Sequence, residues 1–145
     1  SYPVSLDASS IDINTPGLYV VPIKAKNKFG YINSTSVNIA VTNIDPSWNL
    51  AGLYKRASNG APVNLTQVAN GLYEVDDVGG APTFQIKGYF IQIDDSTINF
   101  PLQPTDAGDL DCLEEALTIS AGDTSYQWKV ENASFGKALR VFEKQ

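Results

Sequence analysis

Among its 145 residues the chain has no histidine, no methionine and a single cysteine. Without histidine it lacks the commonest general base and the commonest metal ligand, which excludes Ser-His-Asp hydrolysis and ordinary zinc sites. Cys112 has no partner for an internal disulfide, so packing must hold the fold together. Acidic neighbours raise rather than lower a thiol pKa, so this cysteine reads as buried or inert. No apolar run approaches the roughly 20 residues that a membrane helix needs. Because methionine is absent, residue 1 is not a native initiator, and the expectation is a mature fragment whose targeting sequence has been cut away.

Positive charge is also scarce, with 10 Lys and Arg against 16 Asp and Glu. Residues 1–43 set Lys24, Lys26 and Lys28 against Asp7 and Asp12, one net positive charge, so the remaining residues carry seven net negative charges. Such a surface repels phosphate backbones and excludes nucleic acid as a partner.

What is present is the alternation of half-buried strands and the punctuation of turns. Val37, Ile39 and Val41 alternate with Asn38, Ala40 and Thr42, and Leu18 to Lys26 forms a matching strand in which Pro22 marks an edge or bulge. Pro16-Gly17 turns into that strand, and Asn27 to Gly30 links it to the next. Strands are expected at 2–6, 10–14, 18–26 and 35–42. Asn43-Ile44-Asp45-Pro46 breaks the pattern, so the domains are expected at 1–43 and 47–145.

After Trp48 to Arg56, further strands are expected at 63–68, 71–76, 84–94, 97–100, 116–120, 124–131 and 138–143, separated by Gly, Asn and Asp turns. The fold class is therefore all-β: a partial sandwich, then a small antiparallel sandwich or barrel. Helix formers from Leu113 to Leu117 also allow one short helix over 110–117, capped by Asp109 or Asp111.

The residues that could carry chemistry are few. Asp76-Asp77 and Asp94-Asp95 are adjacent acids that read as solvated turn residues, or else as the carboxylates of a glycosidase. Asp106, Asp109 and Asp111 form the densest acidic cluster, read either as helix caps and loop residues or as weak candidates for Ca²⁺. Gly79-Gly80-Ala81-Pro82 lacks the Lys-Ser/Thr and helix of a phosphate loop and reads as a turn. Trp48, Tyr89, Tyr126 and Trp128 are the candidate ligand-binding residues, as flat faces for sugar rings; the competing reading places them in the core, Tyr89 least so. No catalytic residue and no cofactor are expected.

The residues from Ile13 to Val21, with Pro16-Gly17-Leu18-Tyr19-Val20-Val21, followed by Ala25-Lys26-Asn27-Lys28-Phe29-Gly30 and a Val-Thr strand, resemble the second half of a bacterial Ig-like domain. The remainder is similar to the carboxy-terminal domain of uncharacterised Bacteroidetes lipoproteins in the style of SusE and SusF. It carries Trp48-x-Leu50-x-Gly52-x-Tyr54-Lys55-Arg56, Asn70-Gly71-Leu72-Tyr73, Val78-Gly79-Gly80-Ala81, Tyr126-x-Trp128, Phe135-Gly136 and Arg140-Val141-Phe142.

The resemblance implies a non-enzymatic surface lipoprotein, extracellular or on the outer membrane, lipid-anchored in its full-length precursor and binding glycan. A structural or adhesive module and a carboxylate-only glycosidase are the alternatives. An Ig-like sandwich needs about seven strands, and residues 1–43 offer four. The amino-terminal strands are expected to be missing, and a second copy is expected to cover the open half.

Overall fold

A computed structural model describes residues 3–45, 47–131 and 136–145. The expectations that fall on Tyr2, Pro46 and residues 132–135 lie outside the described residues. Among the described residues every regular element is a β-strand, and the chain divides into two units, 1–43 and 44–145.

The first unit is a three-stranded antiparallel sheet of β1 (Val4–Leu6), β2 (Gly17–Lys26) and β3 (Ile32–Val41), in the order β1-β2-β3. The β2–β3 ladder runs unbroken from Gly17↔Val41 to Lys26↔Ile32. Pro22 is tolerated because its nitrogen faces the β1 side just beyond the end of that strand, where its carbonyl still accepts from the Asp7 N–H at 3.4 Å. The hairpin turn is tied by Asn27, whose N–H donates to the Tyr31 carbonyl at 2.9 Å and whose Oδ1 accepts from the N–H groups of Phe29 and Tyr31. Gly30 supplies the left-handed residue of that turn at φ 88°.

The strand expected at 10–14 does not form. Asp7 accepts from the Ser9 N–H, and Asp12 accepts from the Asn14 N–H and the Thr15 hydroxyl, so short Asx turns consume the donors a ladder would need. The Tyr19 hydroxyl, at the start of β2, reaches back to donate to the carbonyls of Thr15 at 2.8 Å and Asp12 at 3.2 Å. Val21 is buried, whereas Val4, Leu6 and Val37, which share its face by period two, are exposed.

The second unit is a nine-stranded antiparallel sheet. Its strands are β4 (Gly52–Arg56), β5 (Pro62–Ala69), β6 (Leu72–Val75), β7 (Gly88–Gln92), β8 (Ile98–Asn99), β9 (Gln103–Thr105), β10 (Gly108–Ser120), β11 (Asp123–Glu131) and β12 (Leu139–Lys144). Their order is β8-β7-β6-β5-β4-β12-β11-β10-β9, and the sheet curls until its two ends meet. There the Leu117 N–H donates to the Ser96 carbonyl at 3.0 Å, and the Phe100 N–H donates to Glu115 Oε1 at 3.2 Å. Gln103 imitates a backbone amide, accepting from the Tyr89 N–H at 2.8 Å and donating to its carbonyl at 2.7 Å. These bonds hold the short edge strands, where free N–H and C=O groups would otherwise invite another chain.

The helix expected over 110–117 is instead the middle of β10. Leu110 and Cys112 point inward at even positions and Leu117 at an odd one, because the register against β11 shifts between Leu113 and Ala116. That bulge inserts one residue, with Glu114 at φ 53° and its carboxylate paired to Lys129. The missing alternation that allowed a helix in the sequence is the signature of this bulge. β9, in a stretch read as a turn, is likewise a strand, hairpinned onto β10 with Gly108 at φ 92°.

Aromatic rings fill the curled sheet. Trp128 lies 4.7 Å from Tyr126, 5.6 Å from Phe90, 5.5 Å from Phe100 and 5.6 Å from Phe142, centroid to centroid. The hydroxyls of Tyr54 and Tyr73 are satisfied in a chain, in which Tyr54 donates to the Leu50 carbonyl, the Leu50 N–H donates to Tyr73, and Tyr73 donates to Gln92, whereas the buried Tyr126 hydroxyl finds no partner among the described residues. The segment Asp77-Val78-Gly79-Gly80 folds inward against this core. Asp77 accepts from the N–H groups of Gly79 and Ala81, Arg56 donates to the carbonyls of Gly79 and Gly80, and the Trp128 indole donates to the Val78 carbonyl. The Gly79-Gly80 turn thus serves packing, with no phosphate-loop geometry.

Candidate functional site

The structure separates the four aromatics singled out from the sequence. Tyr126 and Trp128 do share one face of β11, but that face is the interior: Trp128 is 0% and Tyr126 1% exposed. Neither can present a ring to a ligand, which corrects their assignment as binding residues. Trp48 is half-buried just before β4.

Tyr89 stands on the outside of β7, opposite Glu74 on β6. Its hydroxyl donates to Glu74 Oε2 at 2.8 Å, and Lys87 donates to Glu74 Oε1 at 2.8 Å. The Lys87 hydrogen bond, joined by that of Tyr89, holds Glu74 below the usual carboxylate range, and bonding to Glu74 pushes the Tyr89 phenol up. Tyr89 is therefore a neutral phenol whose donor is already engaged, and only its ring face remains available.

The acids are dispersed. Asp76 accepts from the Asn64 N–H while its neighbour Asp77 holds the inner loop, and Asp94 caps a turn by accepting from the N–H groups of Ser96 and Thr97. Asp106 lies in the β9–β10 turn and Asp109 and Asp111 lie on β10, so the helix-cap reading falls with the helix. Among the described residues no group of three His, Cys, Asp or Glu side chains could hold a metal ion. Cys112 is buried, and burial pushes its thiol far up, with Glu115 and Asp111 adding to the effect, so it is no nucleophile.

Buried Asp77 and half-buried Glu115 give the second unit a definite pH response. Burial raises Asp77 despite its backbone hydrogen bonds, and burial raises Glu115. A carboxyl that titrates higher folded than unfolded favours the folded state when protonated. Its contribution is full below the unfolded pKa and is lost as pH rises through the folded one. Glu74 and Asp94, held low, lose their contribution only as pH falls through the carboxylate range. The urea midpoint is therefore expected to rise as pH is lowered from neutral through the raised pKa values of Asp77 and Glu115, and to fall once pH drops through the lowered ones of Glu74 and Asp94. Asp77→Asn should flatten the upper limb; a midpoint that falls steadily from neutral pH downward contradicts the assignment.

The surface feature that sequence reasoning missed is on the first unit, beside the β2–β3 turn. Two adjoining shallow depressions, of about 210 and 280 Å³, share Lys26 and Ile32. One is completed by Ala25, Asn27, Tyr31 and Asn33, the other by Pro3, Ser5 and Lys24. Register assigns the two depressions to opposite faces of the sheet: Ser5 pairs with Lys24 and Ile32 with Lys26 on one face, and Ala25 pairs with Asn33 on the other. Tyr31 is 75%, Phe29 73% and Ile32 63% exposed, and the Lys28 ammonium sits 4.9 Å from the centre of the Phe29 ring. The signal was present in the sequence as Lys24 and Lys26 at a spacing of two on a strand, but what lies across from them is set by the hairpin register.

No protein-family model and no curated protein matches the chain. In fold it is similar to the crystal structure of a lipoprotein from Bacteroides thetaiotaomicron, with a TM-score of 0.52 and 22% identity over 98% of this chain and 81% of that chain. At that identity the likeness is one of fold, and the fold it shares is the all-β arrangement described above.

Proposed function

We propose that the chain belongs to a non-enzymatic, lipid-anchored surface protein that captures glycan, with an Ig-like first unit and a β-barrel-like second unit. The observation that carries the reading is the open depression beside the β2–β3 turn, where exposed Tyr31 meets the amide side chains of Asn27 and Asn33. An aromatic face with neighbouring hydrogen-bond donors is the chemistry that holds a sugar ring.

The Tyr19 hydroxyl bonded back to Thr15 and Asp12 has the form of the tyrosine corner of Ig-like sandwiches and supports the Ig-like reading. The lipoprotein of similar fold supports the surface location. The dispersed acids favour binding over glycoside hydrolysis, which needs two carboxyl groups flanking one bond.

The full chain applied to a glycan array is expected to retain at least one glycan and to lose it with Tyr31→Ala. Loss with Tyr89→Ala instead would move the site to the second unit. No retained glycan, together with concentration-dependent dimers in sedimentation, would replace this function by self-association through the exposed Val4, Leu6 and Val37 face.

A further inference from the structure

Independently of what the chain binds, we infer that Asn70 is a site of spontaneous covalent modification, at which the Gly71 nitrogen attacks the Asn70 side-chain amide and the residue ends as aspartate or isoaspartate. Asn-Gly pairs suit this chemistry because glycine has no Cβ to hinder the approach of its nitrogen to the neighbouring amide carbon. The chain has two of them, Asn59-Gly60 and Asn70-Gly71. The step needs only water. The Gly71 nitrogen loses its proton and bonds to Asn70 Cγ, the side-chain nitrogen leaves as ammonia with that proton, and a succinimide ring remains. Water then adds to one of the two ring carbonyls. Opening at Cγ gives aspartate, and opening at the main-chain carbonyl carbon gives isoaspartate.

Both glycines are left-handed, at φ 70° and 73°, and both asparagines are exposed, so glycine conformation and access to the amide do not separate the two pairs. Hydrogen bonds do. The Asn59 side chain is held at both ends, its Nδ2 donating to the Gly80 carbonyl at 3.0 Å and its Oδ1 accepting from the Ala61 N–H at 2.9 Å. The Gly60 N–H, the nucleophile that attack would need, donates to the Arg56 carbonyl at 2.8 Å. Reaction at Asn59 therefore waits on local opening of its turn. Asn70 sits in the two-residue turn between β5 and β6, and among the described residues neither its side chain nor the Gly71 N–H is hydrogen-bonded. Gly71 is buried, which slows removal of its proton, and its carbonyl is fixed by the Gln92 N–H at 2.8 Å. The exposed Asn70 side chain is the partner free to turn onto it. Isoaspartate would route the main chain through the former side chain and lengthen the turn that sets Ala69 opposite Leu72.

The test incubates the full chain in mildly alkaline buffer, folded and in parallel unfolded in urea. Peptides are then mapped by mass spectrometry, with fragmentation that distinguishes isoaspartate from aspartate. In the folded chain Asn70 is expected to accumulate both products, while Asn59 converts about tenfold more slowly or less, the effect of hydrogen bonds that must open first. In urea the two rates should converge. Conversion of Asn59 as fast as Asn70 in the folded chain overturns the proposal, and so does an Asn70 that converts only in urea, where Gly71 is no longer buried. A rate difference that persists in urea overturns the structural account, because neighbouring sequence would then set it. Aspartate at Asn70 with no isoaspartate overturns attack by Gly71, because direct hydrolysis of the side chain gives aspartate alone.

Discussion

Trp128→Ala is expected to cost the chain about 3–5 kcal/mol of folding free energy, the range for deleting a large buried aromatic. Trp128 is in ring contact with Phe90, Phe100, Tyr126 and Phe142, contributed by strands β7, β11 and β12 and by the segment after β8. Its removal opens a cavity where strands from both halves of the curled sheet meet, and those strands cannot close it without losing ladder bonds. It also removes the donor that satisfies the Val78 carbonyl at 2.9 Å, leaving a buried acceptor unpaired. Trp128→Phe separates the two effects: it keeps a ring and loses the indole donor, for an expected cost of about 1–3 kcal/mol. Urea unfolding with linear extrapolation measures both, and Trp48 remains in each variant as a fluorescent reporter. A Trp128→Ala variant within about 1 kcal/mol of the parent, the centre of ordinary point-mutation effects, would show that the aromatic cluster does not hold the second unit.

Much of this fold was legible because strand alternation is a local property. Thr124 to Val130 alternates without interruption and becomes β11, with Tyr126, Trp128 and Val130 inward. Alternation alone shows that Tyr126 and Trp128 share a face but not which face is inside; that depends on the curl, which no local pattern records. Where the alternation breaks, at Glu114, the sequence looks helical, because helix-forming side chains are all that remains of the signal once a bulge shifts the phase. A strand is expected at 10–14, and the loop wins because Asp7 and Asp12 bind neighbouring backbone donors themselves.

The candidate site was less legible still. Lys24, Lys26, Ile32 and Ser5 are brought together by hairpin register and by a third strand, so their grouping exists in the sheet and not in any motif. Glu74, Lys87 and Tyr89 form a cluster of the same kind, built by the β6–β7 pairing.

Gly88→Ala is the second substitution expected to act strongly, and its cause is purely steric. Gly88 opens β7 at a buried position, and its φ lies outside the left-handed region, so alanine is conformationally acceptable there. A Cβ at that point would nevertheless lie 2.5 Å from Phe100 Cζ, 2.6 Å from Phe100 Cε2 and 2.8 Å from Val78 Cγ2. Phe100 cannot yield easily, because its ring is held against Trp128 and its N–H against Glu115. Overpacking of this kind costs about 1–3 kcal/mol. Gly80 differs: at φ 57° an alanine would carry backbone strain in addition to a 2.7 Å approach to the Arg56 side chain. The steric account at Gly88 is checked by a double-mutant cycle. Phe100→Ala alone should cost about 3–5 kcal/mol, but it also vacates the space that the new methyl group enters. Gly88→Ala/Phe100→Ala should therefore be less destabilised than the two single losses combined by about 0.5–3 kcal/mol. Strict additivity would mean that the methyl group is accommodated by movement of β7 itself, and that Phe100 is not what requires glycine at this position.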